Sequence, residues 1–158
     1  SWNLKEAGSL HYGLWFPGTT SFAHSLRQTS EYAGKLAELK PDMKLLDAGC
    51  GEGGASILLA SQMNCEVKGI TLSERQVEAA ANRASQAGVK GAHFSCQSYT
   101  ATDFADQSFD AVIAIESFSS APDSAAFFQE MSRVLKPGGR LIVFDFFKTQ
   151  DVPIEKLP

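Results

Sequence analysis

Residues 45–54 read LLDAGCGEGG, and the reading of this stretch decides the fold. Ahead of the glycines, residues 44–48 form a short apolar run with strand character; behind them, residues 55–63 read as a helix. The glycines between fit a sharp turn. Glycine reaches positive φ without steric cost, so bare backbone there can approach a ligand closely. The start of the following helix adds unpaired N–H groups and the positive end of a dipole. Gly49, Gly51 and Gly54 satisfy a GxGxxG pattern, which by itself is weakly specific.

Outward from this turn, strands and helices alternate. Residues 65–71 read as a second strand. Ser73 then opens a helix with a Ser-x-x-Gln capping box to Gln76. That helix places Val77, Ala80, Ala81 and Ala84 on one face and stops at Gly88. Residues 92–96 make a third strand, 97–109 a polar loop, 110–115 a fourth strand, 123–135 a helix and 140–146 a fifth strand. Before the glycine turn, Phe22, Leu26, Thr29, Ala33, Leu36 and Ala37 recur at helical spacing, and Lys40-Pro41-Asp42 is expected to end that helix. The alternation predicts an α/β fold: a Rossmann-like, doubly wound parallel sheet with helices on both faces and its ligand crevice at the carboxyl ends of the strands.

Composition narrows the class of ligand. Lys plus Arg number 14 against 18 Asp plus Glu, a formal charge of −4, which argues against nucleic acid as partner. No run approaches the roughly eighteen apolar residues of a transmembrane helix. The first ten residues lack the basic-then-apolar pattern of a signal peptide. Cys50, Cys65 and Cys96 lack metal-site spacing, so no metal is expected and a reducing cytoplasm fits. Cys50 has no evident activating partner and reads as ligand-lining backbone rather than a nucleophile. His24 and His93 read as surface or packing residues. A dinucleotide would want an acid at the end of the second strand, where the chain has Gly69-Ile70-Thr71-Leu72. Asp47, two residues before the first glycine, would repel a pyrophosphate and suits a cationic amino group. The crevice therefore asks for a cationic nucleoside without phosphates.

LLDAGCGEGG resembles the first motif of class I S-adenosylmethionine-dependent methyltransferases. SFDAVIAIES (108–117) and RVLKPGGRLIVFD (133–145) resemble the fourth- and fifth-strand motifs of that family, so the likeness covers residues 41–147 with three motifs in order. GITLSERQVEAAANRASQAG (69–88) is similar to the subgroup acting on small molecules and lipids: cyclopropane-fatty-acid synthases, sterol and tocopherol methyltransferases and sugar O-methyltransferases. LHYGLW (10–15) resembles the arm that closes over the cofactor there.

The resemblance implies methyl transfer from S-adenosylmethionine to a small or lipid-like acceptor, with S-adenosylhomocysteine as product. Asp47 would hold the methionine end, and Gly49, Cys50, Gly51 and Gly53 would line the cofactor. Thr71 and Leu72 replace the usual ribose-binding acid, and Gln76, one helical turn later, would take the ribose hydroxyls. Gln97, Ser98 and Tyr99 occupy the adenine loop. Glu116 and Ser117 would border the methyl donor, and His11 and Tyr12 the methionine carboxylate. Where some relatives carry a base after the fourth strand, this chain reads Phe118-Ser119-Ser120-Ala121. That leaves His11 or Glu116 as catalytic base, or an acceptor that needs none.

The expected organisation is an arm at residues 1–20, a cofactor-binding domain at 21–147, and a tail at 148–158 that starts a segment not included. The full fold adds two more strands, so the expected sheet lacks its last strands, and a homo-oligomer or a missing C-terminal segment is expected to cover the fifth-strand edge. Two rivals stand beside this reading: a cofactor-binding module without catalysis, and a nicotinamide-dependent oxidoreductase.

Overall fold

The computed structural model describes residues 11–147, so the expectations for residues 1–10 and 148–158 lie outside the described residues. Five strands form one parallel sheet in the order β3-β2-β1-β4-β5. They are β1 (Lys44–Ala48), β2 (Glu66–Thr71), β3 (Ala92–Cys96), β4 (Phe109–Ile115) and β5 (Leu135–Phe144). The helices are α1 (Phe22–Leu36), α2 (Gly54–Met63), α3 (Glu74–Gln86) and α4 (Ser124–Val134), with a short 3₁₀ turn at Phe118–Ser120. The chain winds outward from β1 through β2 to β3, then returns to place β4 on the other side of β1. The reversal lies between β1 and β4, where doubly wound sheets open their ligand crevice.

Successive strand side chains point to opposite faces, so each strand feeds two cores. Leu45, Val67, Ala111 and Ile113 pack with Ala33 of α1, Leu59 of α2 and Ala84 of α3. Leu46, Ile70, Val112 and Ala114 pack against Phe127, Met131 and Val134 of α4. Both faces are thus covered, and the largely buried β1 and β4 read as mostly apolar runs for that reason.

Four local expectations need correction. Helix α1 ends at Leu36, ahead of Pro41: Glu38 turns left-handed at φ +51, Glu38 N donates to Lys35 O and Leu39 N to Gly34 O. This is a Schellman-type close with glutamate where glycine is usual, so the proline is not what stops the helix. The capping box at α3 is half formed. Ser73 Oγ accepts from Gln76 N, but the Gln76 side chain accepts from the Thr71 hydroxyl instead of reaching back. Ala81 lies exposed, while Ala80 and Ala84 are buried. Strand β5 begins at Leu135, which pairs with Phe109, while Arg140 pairs with Ala111. Residues 136–139 are therefore a bulge inside the strand, with Gly138 at φ +80. The strand stops at Phe144, and Phe146 and Phe147 lie exposed beyond it.

Candidate functional site

At the carboxyl ends of β1, β2 and β4 lies a cleft of about 290 Å³. Its floor is the glycine turn. Gly49 N and Cys50 N both donate to Ile70 O at 2.9 Å, which ties the turn to β2. Gly49 has φ +95, and a Cβ there would stand 2.3 Å from Ser117 Cβ. Glycine is required because β1 and the β4 loop touch at this point. Ser117 Oγ in turn donates to Ala48 O at 2.6 Å. Gly51 has φ +54 and nothing near its Cβ position, so it presents bare backbone to open space.

Asp47 lies on the α2 side of β1 and is 2 % exposed. Ser56 Oγ donates to its Oδ2 at 2.6 Å. Burial pushes the Asp47 carboxyl up to about 6, with the Ser56 hydroxyl and backbone N–H pulling the other way. A buried carboxylate so poorly compensated favours a cationic group beside it. The neighbouring Cys50 thiol is pushed up by its own burial and by Asp47, which agrees with its reading as lining rather than nucleophile.

Thr71, Leu72 and Gln76 form the next side of the cleft, as expected. Gln97 and Tyr99 line it as well. Both amide ends of Gln97 are engaged: Nε2 donates to Ser95 Oγ at 3.0 Å and Oε1 accepts from Asp103 N at 3.0 Å. Tyr99 donates to Ser117 O at 2.9 Å and packs edge-on against Phe127. These bonds make Gln97 and Tyr99 organisers of the loop that follows β3.

His11 and Glu116 close the cleft from the arm and from β4. Glu116 is a non-glycine residue at φ +49, and its Oε1 accepts from Tyr12 N at 2.8 Å. His11 Nδ1 lies 2.8 Å from Tyr12 O, and its Nε2 is buried with no hydrogen-bond partner.

Three residues expected at the site stand outside it. Gly53 is glycine for packing: at φ +80 its Cβ would meet Phe94 Cζ at 2.8 Å and Ala80 Cβ at 2.9 Å. Ser98 Oγ is paired with Thr100 Oγ1 and lies away from the cleft. Tyr12 contributes its backbone, while its ring packs edge-on against Phe146 beside a second cavity of about 420 Å³.

The profile of a family described as "Methyltransferase domain" matches residues 39–157. The chain belongs to this methyltransferase family. It is 36% identical to squalene methyltransferase 1 of Botryococcus braunii over 145 residues, which is 90% of this chain and 38% of that protein. Among solved structures, the [4+2]-cyclase SpnF matches with a TM-score of 0.81 and 31% identity, over 85% of this chain and 51% of the other. Geranyl diphosphate C-methyltransferase from Streptomyces coelicolor A3(2), solved with Mg2+, geranyl-S-thiolodiphosphate and S-adenosyl-L-homocysteine, matches with a TM-score of 0.71 and 27% identity, over 85% of this chain and 55% of the other. The chain thus spans about two fifths to just over half the length of these proteins. The fold, a parallel sheet with helices on both faces, is that of an S-adenosylmethionine-dependent methyltransferase domain.

The methyltransferase cleft also holds residues that sequence reasoning passed over: Ala55 in the first turn of α2, Ile115 at the end of β4, and Ser120 in the 3₁₀ turn. Each adjoins a recognised motif position. A first-turn helix residue after a glycine turn, and the last residue of a central strand, face the crevice by topology alone.

Proposed function

We propose that this domain binds S-adenosylmethionine in the 290 Å³ cleft and serves methyl transfer to a small-molecule or lipid-like acceptor. The observation that carries the reading is Asp47, a buried carboxylate at a glycine turn, together with a β2 end that carries Thr71 in place of a ribose-binding acid. The residues fit the cofactor. Asp47 is undercompensated and suits the cationic amino group, and Gly51 leaves room where a side chain would stand. The amide donors of Gln76 remain for ribose hydroxyls once its oxygen has accepted from Thr71. Leu72, 74% exposed beside the cleft, offers an apolar edge to a nucleoside base. Gly49, Cys50, Gln97, Tyr99 and Ser117 complete the binding set, and His11, Tyr12 and Glu116 border the reacting end.

When bound, the cofactor supplies a methyl group already activated on a sulfonium. The chain's own task is to hold the acceptor in line, exclude water and take a proton where the acceptor has one. The organisation that goes with this reading is an arm at residues 1–20, a cofactor domain at 21–147 and a tail at 148–158. Beyond β5 the sheet has an open edge among the described residues, and a longer chain or a second copy would cover it. The unpaired Cys50, Cys65 and Cys96 suit a reducing cytoplasm.

One observation favours a second reading, a cofactor-binding domain without methyl transfer. The residues after β4, Phe118-Ser119-Ser120-Ala121, hold no base, and a solved relative of this fold carries the name of a cyclase. Calorimetry with S-adenosylhomocysteine and NADH tests the cofactor, and labelled S-adenosylmethionine against phenols, amines, sugars and lipids tests transfer. Binding of the homocysteine ligand with methylated product is the expected result. Binding without product on any acceptor selects the second reading, and NADH binding without the other overturns both.

A further inference from the structure

Among the described residues, His11 Nε2 is a buried polar atom at the cleft with no hydrogen-bond partner. The other ring nitrogen, Nδ1, lies 2.8 Å from the Tyr12 carbonyl oxygen. A carbonyl only accepts, so Nδ1 carries the hydrogen, and in the neutral ring Nε2 then carries the lone pair. The arm thus places His11, with an unpartnered Nε2, in the wall of the cleft. His24, by contrast, spends its Nδ1 on Thr20.

Tyr12 is held in turn. Its N–H donates to Glu116 Oε1 at 2.8 Å, and two residues on, Leu14 N donates to the buried Thr29 Oγ1 at 2.7 Å. Glu116 is fixed by its own N–H on Phe144 O at 2.6 Å and sits at φ +49, a strained conformation for glutamate. A strained residue at a strand end, with its carboxylate on the backbone of a segment 104 positions away, has a positional task.

The geometry points to His11 as the proton acceptor of methyl transfer and to Glu116 as a positioning residue that acts on it through the Tyr12 backbone. This rests on the methyl-transfer reading above, and it assigns a protic acceptor, a hydroxyl or an amine. The acceptor's heteroatom bonds the methyl carbon as that carbon's bond to sulfur breaks, and the electron pair stays on sulfur. The acceptor's proton passes to His11 Nε2, and the imidazolium releases it to water afterwards. A base on the arm also accounts for the absence of one in residues 118–121.

The test is nitrogen NMR of the full-length protein labelled in histidine, with S-adenosylhomocysteine bound, joined to kinetics of variants. In the neutral ring the His11 signals should show Nδ1 protonated and Nε2 bare. Glu116→Ala should lose that preference, while Glu116→Gln, whose amide oxygen still accepts from Tyr12 N–H, should keep it. His11→Ala should lower kcat by about 10²- to 10⁴-fold, well beyond its effect on KM and on S-adenosylhomocysteine affinity, and added imidazole should restore part of the rate. An Nε2-protonated ring, or an unchanged kcat in His11→Ala, overturns the assignment. Failure of the parent protein to bind S-adenosylhomocysteine overturns the methyl-transfer reading itself, and the two failures are therefore distinct. The NMR result on the parent stands even where a variant does not fold.

Discussion

One wall of the cleft is assembled from neighbours in sequence: Asp47, Gly49, Cys50, Gly51 and Ala55 follow one another through a single strand-turn-helix, and Thr71, Leu72 and Gln76 repeat the arrangement one unit later. The opposite wall joins distant segments, with Tyr12 of the arm hydrogen-bonded to Glu116 across 104 positions. The first wall reads out as a motif because its geometry is local. The second has no local signature, since a backbone N–H donor belongs to every residue but proline. The first wall is the part shared by local geometry, and the second depends on how this chain brings its arm to β4.

The sharpest way to break this division is at the seam. Gly49 belongs to the local wall, yet its glycine is demanded by Ser117 of the other. Gly49→Ala would place a methyl 2.3 Å from Ser117 Cβ and force alanine to φ +95. Left-handed strain and overpacking together should cost about 2–4 kcal/mol in urea unfolding. Gly51→Ala is the control: it meets nothing within 4 Å and should lose only about 1 kcal/mol of stability at φ +54. Equal losses at both positions would mean that the walls do not meet as described.

Legibility in the sequence follows the same line. The central strands and their order of appearance follow from short apolar runs bounded by turns, and the helices between them from a period of 3.6 residues. The close of α1 was hidden because Glu38 takes the left-handed position without being glycine. The bulge in β5 was hidden because Lys136-Pro137-Gly138-Gly139 reads as a turn ahead of a strand, while the sheet accommodates it inside one. Gly53 was assigned to the ligand, though Phe94 and Ala80, which need the space, come from β3 and α3. Most of the cleft was legible, including Asp47 and Gln76. The Tyr12–Glu116 link was not, nor was the pairing of Ser98 with Thr100, which leaves its neighbours Gln97 and Tyr99 to line the cleft.

Asp47 offers the second test, because charge and fold pull in opposite directions there. Its carboxyl is raised from 3.8 to about 6 by burial. The group's contribution to the stability of the ligand-free protein is therefore complete below about pH 4 and is lost as pH rises through about 6. Asp47→Asn keeps an acceptor for Ser56 and removes that loss, so the ligand-free variant should be more stable than its parent near neutral pH. The same change should weaken S-adenosylhomocysteine by about 1.5–3 kcal/mol, on the order of ten- to a hundredfold. In the parent, affinity should climb between about pH 5 and 7 as the carboxylate forms, by up to about tenfold per pH unit below its value near 6. The variant should show a flat profile. A variant that loses both stability and affinity would make Asp47 a structural member of the local wall and nothing more.

The smallest effect is expected at Gln76, where the local wall serves fold and ligand with one side chain. Ser73 caps α3 through its own hydroxyl, and the Gln76 side chain has left the capping box for Thr71. Gln76→Ala therefore keeps the N-cap and should leave the fold close to unchanged by urea unfolding. It removes the amide donors proposed for the ribose hydroxyls, and loss of one neutral hydrogen bond amounts to about 0.5–1.5 kcal/mol, roughly two- to tenfold in S-adenosylhomocysteine affinity by calorimetry. Thr71→Val separates the two tasks. It deletes the hydroxyl that orients Gln76 while sparing the amide, so its loss should be smaller than that of Gln76→Ala, and the double variant should lose no more than Gln76→Ala alone. Additive losses would give Thr71 its own contact with the ligand. No loss in Gln76→Ala would return the glutamine to α3 as a helix residue and move ribose recognition to the backbone of the glycine turn.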